Sequence, residues 1–150
     1  MIEFAVEEGL DGAWDEPRIS AVVRNIVRSE LAAADVSIAL HLVSDNTIRA
    51  LNHEHRGLDA ATDVLSFPLT GTEFVLPPDQ PPSLGDVVVS YPRAVAQAHE
   101  FGHSIDREVA YLVAHGVLHV LGYDHELPDE QQVMRQKEEE ALEPLGFTRQ

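Results

Sequence analysis

The stretch from His115 to His125 reads HGVLHVLGYDH, and its spacing decides how this part of the chain must fold. Residues four apart on an α-helix lie about 40° apart around its axis, so His115 and His119 project from one face in adjacent turns. His125 would stand about 240° further round the same helix, so it can join them only if the helix stops and the chain turns back. Gly122 lies between, and glycine is the preferred residue just past a helix end. The sequence therefore predicts a helix ending near Gly122 and three imidazoles facing one ion.

Three imidazoles predict a particular kind of metal site. The chain has no cysteine, so any metal must be held by nitrogen and oxygen. Three neutral imidazoles leave a fourth position of a tetrahedral zinc open for water, as in catalytic sites. Bound to zinc, that water has a pKa of about 7, so hydroxide is available at neutral pH. We expect a hydrolase with one Zn²⁺ per chain on His115, His119 and His125; nickel or another divalent ion is the alternative, since imidazoles accept either.

The spacing H-x3-H-x2-G-x2-H is also that of the metzincin peptidases, with one difference. Gly116 stands where those enzymes have the glutamate that acts as general base. A zincin-like metallopeptidase or general hydrolase is therefore an alternative that needs a displaced base. Glu126, Asp124 and Glu108 are the candidates for that base.

The periodicity of the remaining chain predicts an α+β fold in a single domain of residues 1–150. Alternating apolar residues predict strands, and apolar residues repeating every three to four positions predict helices. Caps and glycines mark the helix ends, with Asp45 expected as an N-cap and Gly57 as a stop. We expect a small, mostly parallel four-stranded mixed sheet packed by about five helices. The expected elements are strands over 2–7, 36–42, 64–69 and 85–90, helices over 15–33, 45–57, 90–101, 105–121 and 128–143, and a proline-rich loop over 77–82.

Composition and charge limit the partners. The formal net charge is -16 and the only lysine is Lys137, so the chain as a whole repels polyanions. No apolar run approaches the roughly 20 residues that span a bilayer, and the start of the chain lacks a secretory signal pattern. We expect a cytoplasmic protein that binds neither membrane nor DNA.

Three blocks of sequence resemble the YbeY family of bacterial metal-dependent endoribonucleases, which act in ribosomal RNA maturation. Beside the histidine stretch, LNHEHRG at 51–57 is followed by TDVLSFP at 62–68, and LGDVVVS lies at 84–90. With the matching lengths between blocks, the resemblance covers about residues 35–145. The local departure is His55, where the family usually has an aromatic residue such as tyrosine.

The resemblance implies a zincin-like fold, one zinc on the three histidines, and an arginine, here Arg56, that faces the metal. It implies a zinc-dependent single-strand endoribonuclease in ribosomal RNA maturation and ribosome quality control, with RNA as substrate and the ribosomal subunit or its proteins as partners. Arg56 and His115 are the expected catalytic residues. From the residues alone, Arg56 is equally a cation that offsets the helix dipole.

Two further alternatives stay open at this point. The metal is structural in a non-enzymatic ribosome-assembly factor if a protein ligand such as Asp124 closes the fourth position. Asp63 and Asp86 are each either turn residues or acceptors for a ligand imidazole N–H. The remaining histidines have no ligand spacing relative to the cluster and are expected at the surface or its boundary: His41, His53, His99 and His103.

Overall fold

A computed structural model describes residues 2–10, 12, 14–31, 36–68, 83–123 and 127–147. The predicted loop over 77–82 and His125 lie outside the described residues. Among the described helices none is long and apolar enough to cross a membrane. The elements are β1 (Ile2–Val6), α1 (Glu16–Glu30), β2 (Ser37–Val43), α2 (Asp45–Arg56), β3 (Val64–Pro68), β4 (Ser83–Ser90), α3 (Tyr91–Phe101), α4 (Ile105–Val120), α5 (Pro128–Leu142) and a final 3₁₀ turn (Glu143–Leu145).

The four strands form one mixed sheet in the order β1-β2-β4-β3. β1 with β2 and β2 with β4 pair in parallel, whereas the edge strand β3 runs antiparallel to β4. This confirms the predicted α+β class and the mostly parallel four-stranded sheet. The antiparallel strand lies at the edge of the sheet, where β3 pairs with β4 alone among the described strands.

Successive side chains of each strand point to opposite faces of the sheet, and both faces are buried. Leu40, Leu42 and Val87 point into the main core, which α1, α4 and α5 cover. Leu65 and Val88 point the other way, into a smaller cluster under α2. Four apolar residues of α4 belong to the main core and are all at most 3% exposed: Val109, Leu112, Val113 and Val117.

Local signals at the helix ends mostly act as predicted. Ser90 and Ser104 cap α3 and α4 through their side chains. The expected cap at Asp45 is wrong by one residue, because Ser44 accepts the hydrogen bond from Thr47 N while Asp45 is the first helical residue. The Asp45 carboxylate instead accepts a hydrogen bond from the Ser90 hydroxyl at 2.7 Å. Gly57 ends α2 in the left-handed conformation, as expected.

Candidate metal centre

Helix α4 brings two imidazoles together. His115 and His119 lie one turn apart, with ring centroids 4.7 Å apart and Nε2 atoms 3.2 Å apart. Two ligands of a tetrahedral zinc, each at about 2.0–2.1 Å, have their nitrogens about 3.3 Å apart. The pair therefore has the separation that one tetrahedral ion requires.

The third predicted ligand cannot be placed. His125 lies between Tyr123 and Leu127, in a segment outside the described residues. Among the described side chains, no three His, Asp or Glu residues converge as a metal site. The geometry thus describes two of the three expected ligands.

Glu138 orients His115. Its Oε2 atom lies 2.7 Å from His115 Nδ1, and the residue is only 4% exposed. A ring N–H that donates to a carboxylate places the proton on Nδ1, so that Nε2 is the nitrogen that can bind a metal. This carboxylate is the acceptor for which Asp63 and Asp86 were the sequence candidates.

Glu138 was missed in the sequence, although α5 contains a signal for it. Met134, Glu138 and Ala141 are four and three residues apart, and all three are buried. A carboxylate within the apolar stripe of a helix must find a partner, since an unpaired buried charge is costly. What the sequence lacks is the identity of that partner, 23 residues away on another helix.

Tyr111 packs on the same imidazole from α4 itself. Its ring is nearly parallel to that of His115, with centroids 6.1 Å apart and 17° between planes. Burial, above all, raises the pKa of the Tyr111 hydroxyl to about 12, so the side chain is a neutral phenol near neutral pH. His115 is thus held by a hydrogen bond at one edge and by a ring on one face.

The helix ends as the spacing requires. Gly122 has φ of 105°, and its N–H donates to the carbonyl of His119 while Tyr123 N–H donates to that of Leu118. These two bonds form a Schellman motif, which reverses the chain direction after the helix. The Tyr123 hydroxyl then donates to Glu30 Oε2 at 2.7 Å, and this bond is the main cause of a lowered Glu30 pKa. The chain therefore leaves α4 from an anchored position, two residues before His125.

Gly116 allows α4 to lie close to the sheet. A Cβ atom at this position would stand 2.5 Å from Val87 Cγ1 and 3.2 Å from Val64 Cγ2. The Ser66 hydroxyl donates to the Gly116 carbonyl at 3.0 Å, which fastens the helix to the edge strand β3. The position that carries the base in metzincins is therefore filled by the sheet, and a glutamate there has no room.

Glu108, a candidate for a displaced base, lies two turns before His115 on α4. That spacing is about 10 Å along the helix axis, and a general base must be within hydrogen-bond reach of its proton. The Nε2 atoms of the pair meet between His115 and His119, and His119 is one turn further along the helix from Glu108. Glu108 is thus badly placed as the base; Asp124 and Glu126 lie outside the described residues.

Arg56 lies at the C-terminus of α2 and is exposed. Among the described residues its guanidinium makes no hydrogen bond or ion pair, and no contact joins it to His115 or His119. Its neighbour His55 packs edge-on against Phe67 of β3, with ring centroids 5.0 Å apart. The expectation that Arg56 faces the metal therefore remains a prediction.

The two ambiguous aspartates have local partners. Asp63 accepts from Val64 N at 2.8 Å and from Gln97 Nε2 at 3.2 Å, which supports its reading as a turn residue. Asp86 lies 3.0 Å from His41 Nε2, and both side chains are partly exposed. Both carboxylates thus have hydrogen-bond partners other than His115 and His119.

Comparison with known proteins gives a consistent result. A family model described as "Endoribonuclease YbeY" matches residues 7–146. A protein named endoribonuclease YbeY from Desulforamulus reducens is 50% identical, over 98% of this chain and 94% of that protein. A protein of the same name from Roseiflexus castenholzii is 46% identical, over 100% of this chain and 96% of that protein. The solution structure of TM1509 from Thermotoga maritima superposes with a TM-score of 0.62 at 28% identity, over 96% of this chain and 91% of that one. On fold and sequence alike, the chain belongs to the YbeY family of endoribonucleases.

Proposed function

We propose that this chain is a metal-dependent hydrolase that cleaves single-stranded RNA during ribosomal RNA maturation and ribosome quality control. The observation that carries the proposal is the 3.2 Å approach of two imidazole Nε2 atoms, one of them oriented by a buried carboxylate, in a member of an endoribonuclease family. We assign His115, His119 and His125 as ligands of one zinc, and nickel remains the alternative ion.

A zinc in this site would supply Lewis-acid polarisation of a phosphoryl oxygen and a water acidic enough to attack at neutral pH. The protein's own contribution is to present the lone pairs. Glu138 fixes the His115 tautomer, the end of α4 turns the chain toward His125, and the sheet holds α4 through Gly116. Such preorganised positioning is what makes a metal site effective in catalysis.

The acidic balance of the chain supports a role inside a larger assembly. Electrostatic attraction to the phosphates supplies most of the sequence-independent affinity of proteins for RNA. A protein of net charge -16 gains little binding free energy from this attraction. We therefore infer that the RNA is presented by the ribosomal subunit or its proteins, which places the reaction in the cytoplasm.

The peptidase alternative is disfavoured by packing. Gly116 packs against Val87 and Val64 of the sheet. The helix position at which metzincins carry their catalytic glutamate therefore has no space for that side chain. A structural metal in a ribosome-assembly factor needs a protein ligand at the fourth position, and the candidate for it, Asp124, lies outside the described residues.

We assign Arg56 the role of holding the phosphate as negative charge accumulates during cleavage. We expect Arg56→Ala to keep its fold and metal but to lose on the order of a hundredfold in single-turnover RNA cleavage, about 2.7 kcal/mol. Arg56→Lys should recover only part, because an ammonium lacks the bidentate geometry of a guanidinium.

Arg49→Ala is the matched control, because Arg49 is an exposed arginine of the same helix that, in the described part of the chain, pairs with the equally exposed Asp59. Such surface pairs contribute little. Equal rates for wild type and the Arg56→Ala variant would reduce Arg56 to a helix-end cation.

A further inference from the structure

A cavity of about 550 Å³ opens beside His115, between α3, α4 and α5. This is within the range of small-molecule binding pockets. Glu108, Tyr111 and His115 line it from one face of α4, at the helical spacing of three and four residues. Glu138, which contacts His115 Nδ1, also lines the cavity.

Glu108 lines this cavity with a carboxyl group that no described donor satisfies by a hydrogen bond. The residue is 5% exposed and lines the cavity, yet its carboxyl accepts no hydrogen bond from the described residues. The adjacent Arg107 directs two of its guanidinium nitrogens elsewhere, donating to the Phe147 carbonyl at 2.8 Å and pairing with Glu139 at 3.4 Å, and its charge only partly offsets the effect of burial on the pKa of Glu108. Burial raises the pKa of Glu108, as expected for a carboxyl group that lacks donors. A ligand that brings N–H donors into the cavity would satisfy this group.

Flat apolar surfaces accompany this acceptor. Tyr111 lines the cavity with a neutral aromatic ring, and Phe101, at the end of α3, is 58% exposed. Aromatic side chains of this kind stack on the unpaired bases of single-stranded RNA. Arg135, an exposed residue of α5, adds a cation to the lining that can pair with the phosphate of the same nucleotide.

We propose that this cavity is a guanine-binding subsite, in which the Glu108 carboxylate accepts hydrogen bonds from guanine N1–H and the N2 amino group. A carboxylate has two parallel acceptors and matches two parallel donors. Guanine has that pair on its Watson–Crick edge, whereas adenine and cytosine place a donor beside an acceptor, and uracil has one donor between two acceptors. The assignment rests on the proposed function, because it names a base preference for the same RNA substrate.

The test is to measure, by NMR titration, the affinity of mononucleotides for the zinc-loaded full chain. Inosine monophosphate (IMP) differs from guanosine monophosphate (GMP) only by lacking the N2 amine, so any contact of the phosphate with the metal cancels in the ratio. We expect GMP to bind at least about tenfold more tightly than IMP, the value of one hydrogen bond to a charged group. In Glu108→Gln, which keeps the side-chain volume, the two should bind with similar affinity.

Glu100→Gln is the control, since Glu100 is an exposed glutamate of α3. It should keep the wild-type preference. Equal affinity of the wild type for GMP and IMP, or an unchanged preference in Glu108→Gln, would overturn the guanine subsite.

The result is separable from the proposed function because binding needs no cleavage. An RNA-cleaving protein with no distinction between guanine and inosine would refute the subsite alone. A protein that prefers GMP through Glu108 but does not cleave RNA would refute the nuclease proposal and leave the subsite standing.

Discussion

Removing the Glu138 carboxylate tests the structure of the metal centre without touching a ligand. The 2.7 Å contact with His115 Nδ1 lies in a nearly closed environment, with Glu138 4% exposed. A hydrogen bond to a charged group in such a place contributes about 1.5–3 kcal/mol. Carboxylates behind a ligand imidazole typically change metal affinity 10–100-fold when lost, about 1.4–2.7 kcal/mol. We therefore expect Glu138→Ala to bind zinc about 10–100-fold more weakly than the wild type.

Glu138→Gln should lose less, because its amide oxygen can still accept from the ring N–H. The measurement is competition for zinc against a chromophoric chelator, with circular dichroism to confirm that each variant is folded. Glu140→Ala is the matched control, since Glu140 is exposed on the same helix and its side chain accepts a hydrogen bond from Gln136 Nε2 at 3.2 Å. A folded Glu138→Ala variant with wild-type zinc affinity would refute the orientation of His115 by this carboxylate.

Two further predictions concern α4. Gly116→Ala should lower the free energy of unfolding, because the added methyl group would meet Val87 Cγ1 at 2.5 Å. Overpacking costs about 1–3 kcal/mol, and the higher helix propensity of alanine returns roughly 1 kcal/mol, so the net effect should be destabilising. A Gly116→Ala variant as stable as the wild type, or more stable, in urea titration would contradict the close packing. Burial raises the pKa of Glu108 in the folded protein above its ordinary value of 4.5. As pH rises above 4.5, the unfolded wild-type chain therefore loses this proton first, and the folded wild type becomes less stable until the folded-state pKa is passed. Glu108→Gln has no such proton, so it should be increasingly more stable than the wild type over that pH interval. The difference should vanish at lower pH, and a difference independent of pH in urea titrations would contradict it.

Most of the fold could be predicted because its signals are local. The alternation of Ile38, Leu40 and Leu42 identifies β2 without any neighbour, and Ser104 marks the start of α4 by its own side chain. The error at Asp45 is also local: Ser44 and Asp45 are both good N-caps, and only the backbone conformation decides between them. The antiparallel pairing of β3 with β4 depends on the path of the chain, which periodicity does not contain.

The part of the candidate site that lies on α4 could be predicted from the sequence. The spacing of His115 and His119 is fixed by helix geometry, so their approach follows from sequence. Glu138 belongs to another helix, and only tertiary packing of α5 on α4 brings it to His115. Gly116 shows a second limit, since the sequence reads it as a missing base while the structure shows that the sheet requires its small size.

The most direct test of the central claim is single-turnover cleavage of a single-stranded RNA by the purified chain before chelation, after chelation, and after one equivalent of zinc is restored. A single-stranded DNA and a peptide serve as comparison substrates. We predict that one zinc per chain is lost with activity, that both return together on zinc addition, that His119→Ala recovers neither, and that DNA and peptide stay intact. RNA cleavage that persists at the same rate in the metal-free protein, or in His119→Ala, would contradict a metal-dependent ribonuclease built on these histidines.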